Sequence, residues 1–171
     1  GAPAQHWGAV VIVIGIDLGV TGAMTAIGPQ GLTVHDLPIT EDERGKRLNA
    51  PAFVALVRQL IPANETGLLA AENVHVMQVK GRAMSHSTET TLVGLRYAVQ
   101  AVADCLRLRL ELVTPQSWKK HYGIKADTKG QQARETAARL YPQAAPMLAR
   151  VKDHNRAESV LIAHYVRSKK A

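Results

Sequence analysis

Val11-Ile12-Val13-Ile14-Gly15-Ile16-Asp17-Leu18-Gly19-Val20-Thr21-Gly22 decides how the rest of the chain reads. Its run of β-branched residues predicts a strand buried on both faces. The run ends in one carboxylate, Asp17, and glycines follow at positions 19 and 22. A carboxylate at the end of a buried strand is unfavourable unless something positive compensates it. The glycines let the backbone turn sharply and let a phosphate or a metal ion approach it closely. The same residues also fit a strand that ends in an Asp-Gly-type turn, so the choice between the two readings falls to the remaining sequence.

Working outward, residues 9–16 predict a first strand, 24–27 a second and 32–37 a third, with Gly28-Pro29-Gln30-Gly31 as a turn. Tight turns between them imply an antiparallel meander. Residues 40–47 are polar and read as a loop. Asn49 caps a helix with Pro51 in its first turn, and Phe53, Leu56, Val57, Leu60 and Ile61 mark its apolar face. Residues 67–72 predict a fourth strand that, like the first, is apolar and ends in a carboxylate, Glu72. A polar loop spans 75–88. Leu92, Leu95, Val99, Val102 and Leu106 then form a narrow seam on a helix, which suits core packing or a helix-pairing dimer face. Residues 108–113 predict a fifth strand, and Thr114-Pro115 starts a short helix with Trp118, Lys119 and Lys120. Residues 127–140 are helical with Ala133, Ala137 and Leu140 inside, and 153–166 form the last helix with Leu161, Ile162 and Tyr165 buried. The order gives an α/β layer fold with a mixed five-stranded sheet, three antiparallel strands then two parallel, flanked by helices. Residues 1–8 read as a disordered or processing-derived N-terminus and 9–168 as one domain.

Composition narrows the classes. Hydrophobic residues make up 46% and charged residues 20%, which predicts a packed core. Aromatic residues are only 4%, too few for the stacking platforms of single-strand nucleic-acid binders. Twenty-one basic residues against 14 acidic ones give a net charge of +7, which favours a polyanionic partner. The single cysteine, Cys105, excludes an internal disulfide or a cysteine zinc site and suits a reducing compartment. No apolar run reaches transmembrane length and no signal peptide is visible, so the expected location is a cytoplasmic, nucleoid-associated, organellar or phage-infected cell interior rather than outside the cell.

With carboxylates scarce, those at strand ends stand out. Sites in α/β sheets form beyond strand ends, and Asp17 and Glu72 converge there if the first and fourth strands are parallel neighbours. A third group comes from Asp153-His154-Asn155-Arg156-Ala157-Glu158. His154 and Glu158 share a helix face, whereas Asp153 joins them only from a position at or before the helix cap. Clustered carboxylates repel one another unless a cation neutralises them, and hard oxygen ligands suit Mg²⁺ or Mn²⁺. Two such ions can activate water and stabilise the leaving oxygen in phosphodiester hydrolysis. The alternative is capping and surface ion pairing, with Asp153 as an N-cap and Arg156 paired to Asp153 or Glu158.

Ile14-Gly15-Ile16-Asp17-Leu18-Gly19, Ala71-Glu72, Val113-Thr114-Pro115-Gln116-Ser117-Trp118-Lys119 and Lys152-Asp153-His154-Asn155-Arg156-Ala157-Glu158 occur in that order. Together they resemble the RuvC-type Holliday junction resolvases, most closely the compact branch found in phages, bacteria and plant chloroplasts, over roughly residues 11–167. The resemblance implies a ribonuclease H-like fold, a homodimer with the 92–106 helix as one candidate pairing face, and no small-molecule cofactor. It also implies a site of Asp17, Glu72, Asp153 and Glu158 holding Mg²⁺ or Mn²⁺, two ions per site, with Asp17 bridging them. Asn155 departs from the pattern: many members place an acid or histidine there, which leaves Asp153 first and His154 second as the remaining ligand. His154 is also a candidate for proton transfer. Lys129 matches a basic position that would stabilise charge on the scissile phosphate, and a solvated lysine is the bland reading.

The implied activity is structure-selective, metal-dependent cleavage of four-way DNA junctions, with one nick per subunit and 5′-phosphate ends. Lys80, Arg82, Ser85, Lys119, Lys120, Lys125 and Lys129 are the candidate DNA contacts. Another ribonuclease H-like nuclease acting on RNA–DNA hybrid or branched nucleic acid, or a non-catalytic junction-binding module, is the alternative. An actin-like sugar kinase shares the opening motif, but there is no second phosphate loop.

Overall fold

The computed structural model describes residues 12–73, 86–125 and 130–170. Five strands form one sheet in the order β3-β2-β1-β6-β7: β1 (Ile12–Asp17), β2 (Ala23–Gly28), β3 (Gly31–Asp36), β6 (Gly67–Glu72) and β7 (Arg109–Val113). The first three are antiparallel neighbours, while β1, β6 and β7 run parallel. The mixed sheet expected from the sequence is therefore present. Its central strand β1 is buried throughout, as its β-branched run requires.

The two-residue period of β1 divides the core. Ile12, Ile14 and Ile16 pack with α1 (Ala50–Leu60) and α2 (His86–Cys105) on one face. Val13 points to the other face, against α5 (His154–Ser168) and α4 (Gln131–Leu140). Gly15 and Asp17 share that second face by alternation. In β6, Leu69 and Ala71 join the α1–α2 layer, while Leu68 and Ala70 join the α5 layer, so Glu72 follows them toward α5. The strand register pairs Ile16 with Ala71, which puts the next two residues, Asp17 and Glu72, side by side at the sheet's end.

Gly15 sets how closely α5 lies on the sheet. A Cβ built there would fall 2.4 Å from both the Ala163 amide nitrogen and the Ser159 carbonyl oxygen. No side chain fits, because the obstruction is helix backbone. Ser159 and Thr25 add a buried hydroxyl–hydroxyl hydrogen bond of 2.7 Å between α5 and β2.

Several sequence expectations need correction. Residues 40–47 are not a plain loop: β4 (Ile39–Asp42) and β5 (Gly45–Leu48) form a separate hairpin. Its polar residues masked a strand pattern, but cross-strand ion pairs link Lys46 to Glu41 and Arg47 to Asp42. Leu140 is not inside; it is 37% exposed at the end of α4, whereas Thr136 takes the buried position. Of the seam on α2, Leu95, Val99 and Val102 pack into the α1 layer of the core. The last helix begins at His154 after a short 3₁₀ turn, Val151–Asp153. Another 3₁₀ segment, Pro142–Met147, was not expected. Among the described residues no helix is long and apolar enough to cross a membrane.

Gly15→Ala should lower unfolding free energy by about 3 kcal/mol, the upper end for overpacking against rigid neighbours. Urea denaturation at neutral pH measures this. An unchanged midpoint would mean that α5 can retreat from β1 freely.

Candidate functional site

Three elements deliver the site. Asp17 ends β1, Glu72 ends β6 and Glu158 lies in the second turn of α5. One carboxylate oxygen from each lies within 4.8 Å of the other two. Asp17 is only 8% exposed. Local backbone bonds fix both strand ends. Asn73 donates its amide proton to the Val113 carbonyl at 2.7 Å, which extends the β6–β7 pairing past Glu72. After Asp17 the chain turns through Gly22, where a Cβ would lie 2.3 Å from the Asp17 carbonyl oxygen.

Burial and mutual repulsion disfavour charge here. Burial, then the nearby charges of Glu158 and Glu72, push the Asp17 carboxyl well above its usual range. Burial and Glu158 raise Glu72 to about 7. Among the described residues one cation opposes this: Lys119 Nζ stands 3.6 Å from Glu158 Oε1. It is placed by α3 (Pro115–His121), whose Thr114 cap accepts from the Ser117 amide and whose Trp118 is fully buried. The sequence offers Lys119 as a candidate DNA contact, and in the structure its Nζ is also the ion-pair partner of Glu158 in the acidic cluster. Three oxygen-donor carboxylates with, among the described residues, one lysine beside them fit a hard divalent cation, which supplies more charge than Lys119 does.

Asp153 does not join this group. Its carboxylate accepts from the Arg150 backbone amide at 3.0 Å, from Arg150 Nε at 3.0 Å and from Arg150 Nη2 at 2.8 Å. These bonds hold its carboxyl below the usual carboxylate range. It does lie at the helix cap, as cluster membership required, but there its oxygens are taken by arginine. Nor does His154 join: its Nδ1 lies 3.2 Å from the Val151 carbonyl oxygen. A carbonyl only accepts, so Nδ1 carries the proton and Nε2 is left as the basic nitrogen. Asn155, unsuited to metal, donates its amide to the Thr21 carbonyl and hydroxyl at 2.7 and 3.0 Å. That bond ties the start of α5 to the loop after Asp17. Arg156 pairs with neither expected acid first. It forms a bidentate bond to Asp36 at the end of β3, at 2.8 and 2.9 Å, and lies 3.7 Å from Asp153.

Lys120 and Lys125 are exposed on the α3 side. Lys80, Arg82, Ser85 and Lys129 lie outside the described residues. Sequence reasoning missed Gly15, Arg150 and Asp36 as supports of the site. Only Gly15 carried a signal, as a lone glycine inside a buried strand.

The raised Glu72 carboxyl has a consequence for stability. Below about pH 4.5 it is protonated in both the folded and the unfolded chain. Between 4.5 and 7 only the unfolded chain ionises, so folding stability falls as pH rises. Above 7 the loss from this group is complete, roughly 3 kcal/mol. His164, pushed down by burial, slopes the opposite way, so the comparison is between wild type and Glu72→Gln. Without divalent ions, the variant should gain on wild type from pH 4.5 to 7 in urea titrations. A pH-independent difference would contradict a buried, uncompensated Glu72.

No family model matches the chain, and no curated protein matches it in sequence. Solved structures do. Thermus thermophilus RuvC is similar at a TM-score of 0.56 and 16% identity, covering 94% of this chain and 98% of that one. T. thermophilus RuvC in complex with a Holliday junction substrate gives 0.54 and 14%, covering 94% and 98%. The yeast mitochondrial Holliday junction resolvase Ydc2 gives 0.48 and 14%, covering 92% and 78%. The chain has the RuvC-type, ribonuclease H-like fold that its four sequence blocks resemble.

Proposed function

We propose that this chain is a divalent-cation-dependent endonuclease that cuts four-way DNA junctions, acting as a homodimer with one nick per subunit. The observation that carries the reading is the convergence of Asp17, Glu72 and Glu158, from three elements, at one end of a RuvC-type sheet. The solved RuvC complex holds a Holliday junction, and that substrate class is carried over to this chain as part of the proposal.

In this reading Asp17, Glu72 and Glu158 hold Mg²⁺ or Mn²⁺. When bound, the cation supplies Lewis-acid charge at the scissile phosphate and lowers the pKa of the attacking water. The chain's own groups arrange the rest. The buried β1 and β6 fix the carboxylates from below, and Gly15 lets α5 bring Glu158 down to them. Lys119 offsets part of the charge of Glu158 and is a candidate to face the phosphate of a bound strand. Lys120 and Lys125 extend phosphate contacts on the α3 side, and Lys80, Arg82, Ser85 and Lys129 stay candidate DNA contacts on the sequence alone. His154, through Nε2, is a candidate to accept or return a proton. Asp153 stays with Arg150 and supports the helix start. A dimer through the 92–106 helix would use its outer face, where Tyr97 is 60% exposed, because the inner seam is taken by the core.

Asp17→Asn removes charge but keeps shape. It should slow cleavage of an immobile four-way junction in Mg²⁺ by at least ~10³-fold while the junction still binds. Full cleavage by this variant would remove Asp17 from the site. A panel of junction, RNA–DNA hybrid and linear duplex tests the substrate class: the junction should be cut in preference, and a preference for hybrid would move the reading to another ribonuclease H-like nuclease.

A further inference from the structure

A second cleft opens beside the acidic cluster, on the flank away from Lys119. Val20, Thr21, Gly22 and Leu37 line it together with the basic residues Arg150, Lys152 and Arg156. Its volume is about 330 Å³. The loop from Val20 to Gly22 continues directly from the Asp17 strand end, and Arg156 lies on the same first turns of α5 as Glu158. The cleft and the carboxylate cluster therefore share two of their supporting elements.

The charges within it are not equivalent. Arg156 is committed to Asp36, and its side chain is only 26% exposed. Arg150 clasps Asp153 yet leaves 57% of its side chain exposed. Lys152 is exposed at the rim. Three cations stand against two carboxylates, Asp36 and Asp153, so the cleft carries net positive charge at its outer edge. Its wall is held in shape, since the Asn155 amide bonds Thr21 and no Cβ fits at Gly22.

The sheet order puts the two basic flanks on opposite sides of the acids. Lys119 follows β7 at one edge of the sheet, while Asp36, and with it Arg156, ends β3 at the other edge. The β1 and β6 carboxylates lie between. A polyanion reaching that acidic centre needs cations on both approaches, or repulsion from the carboxylates turns it away.

The geometry points to this cleft as a phosphodiester-backbone subsite, with Lys152 and the outer face of Arg150 receiving the DNA strand as it leaves the acidic cluster on the β3 side. The inference rests on the nuclease reading and adds a direction to it: the strand crosses the end of the sheet from the α3 flank to the β3 flank. Arg156, Asp36 and Asp153 are positioning residues that hold the cleft's wall and floor.

Lys152 is the residue to change, because it supports no described bond of the fold, whereas Arg150 also secures Asp153. A labelled immobile four-way junction is titrated with wild type, Lys152→Ala and Lys152→Glu in Ca²⁺ over a range of salt. Thermal melts check that each variant is folded. Lys152→Ala should weaken binding and flatten the salt dependence by about one phosphate contact, and Lys152→Glu should weaken it further. Mn²⁺ binding should be unchanged in both variants, which separates this cleft from the carboxylate cluster. Wild-type binding with no loss in either variant overturns the subsite. Failure of wild type itself to bind the junction would instead overturn the nuclease reading on which the subsite rests.

Discussion

Repulsion among Asp17, Glu72 and Glu158 is the constraint on which the rest of the structure depends. Three carboxylates within 4.8 Å, one of them buried at the end of the central strand, oppose folding unless something positive joins them. The fold nevertheless enforces the encounter. Parallel pairing of β1 and β6 aligns two of the acids, and a glycine in the middle of β1 lets α5 come close enough to deliver the third. Lys119 offsets part of the repulsion from the side. A surface network of similar composition would relax by moving its side chains apart, whereas these are fixed by strand and helix backbone.

The other acids near this end of the sheet show what structural carboxylates look like in the same chain. Asp36 and Asp153 are each met by a two-pronged arginine, and the hydrogen bonds hold both carboxyls below their ordinary range. Among the described residues no arginine meets Asp17 or Glu72, and both carboxyls are pushed upward. Carboxylates satisfied within the fold are thus separated from carboxylates that burial and mutual repulsion leave uncompensated among the described residues. Asp153 belongs to the first group, although its place in the sequence motif suggested the second.

Much of this was legible in the sequence because two periodicities carried it. A β-branched run marked β1 and an apolar run of leucine and alanine marked β6, and each ended in an acid. The helical spacing of α5 put Glu158 on one face with His154, at a third approach to the strand-end acids. The hairpin of residues 39–48 was hidden because its stability comes from cross-strand charges rather than alternating apolar residues. The Arg150 clasp was hidden because capping depends on side-chain conformation, which spacing does not specify. Lys119 was seen as basic but not as part of the site, since its approach to Glu158 depends on how Trp118 anchors a seven-residue helix.

A divalent cation that completes the acidic cluster would displace protons from it. Calorimetric titration with Mn²⁺ at pH 7, in two buffers of different ionisation enthalpy, tests this directly. Binding should release protons, because the Glu72 carboxyl titrates near 7 and that of Asp17 is raised as well. Glu72→Gln should weaken the binding and reduce the proton release. Absence of Mn²⁺ binding, or binding with no proton release that Glu72→Gln leaves unaltered, would contradict the account.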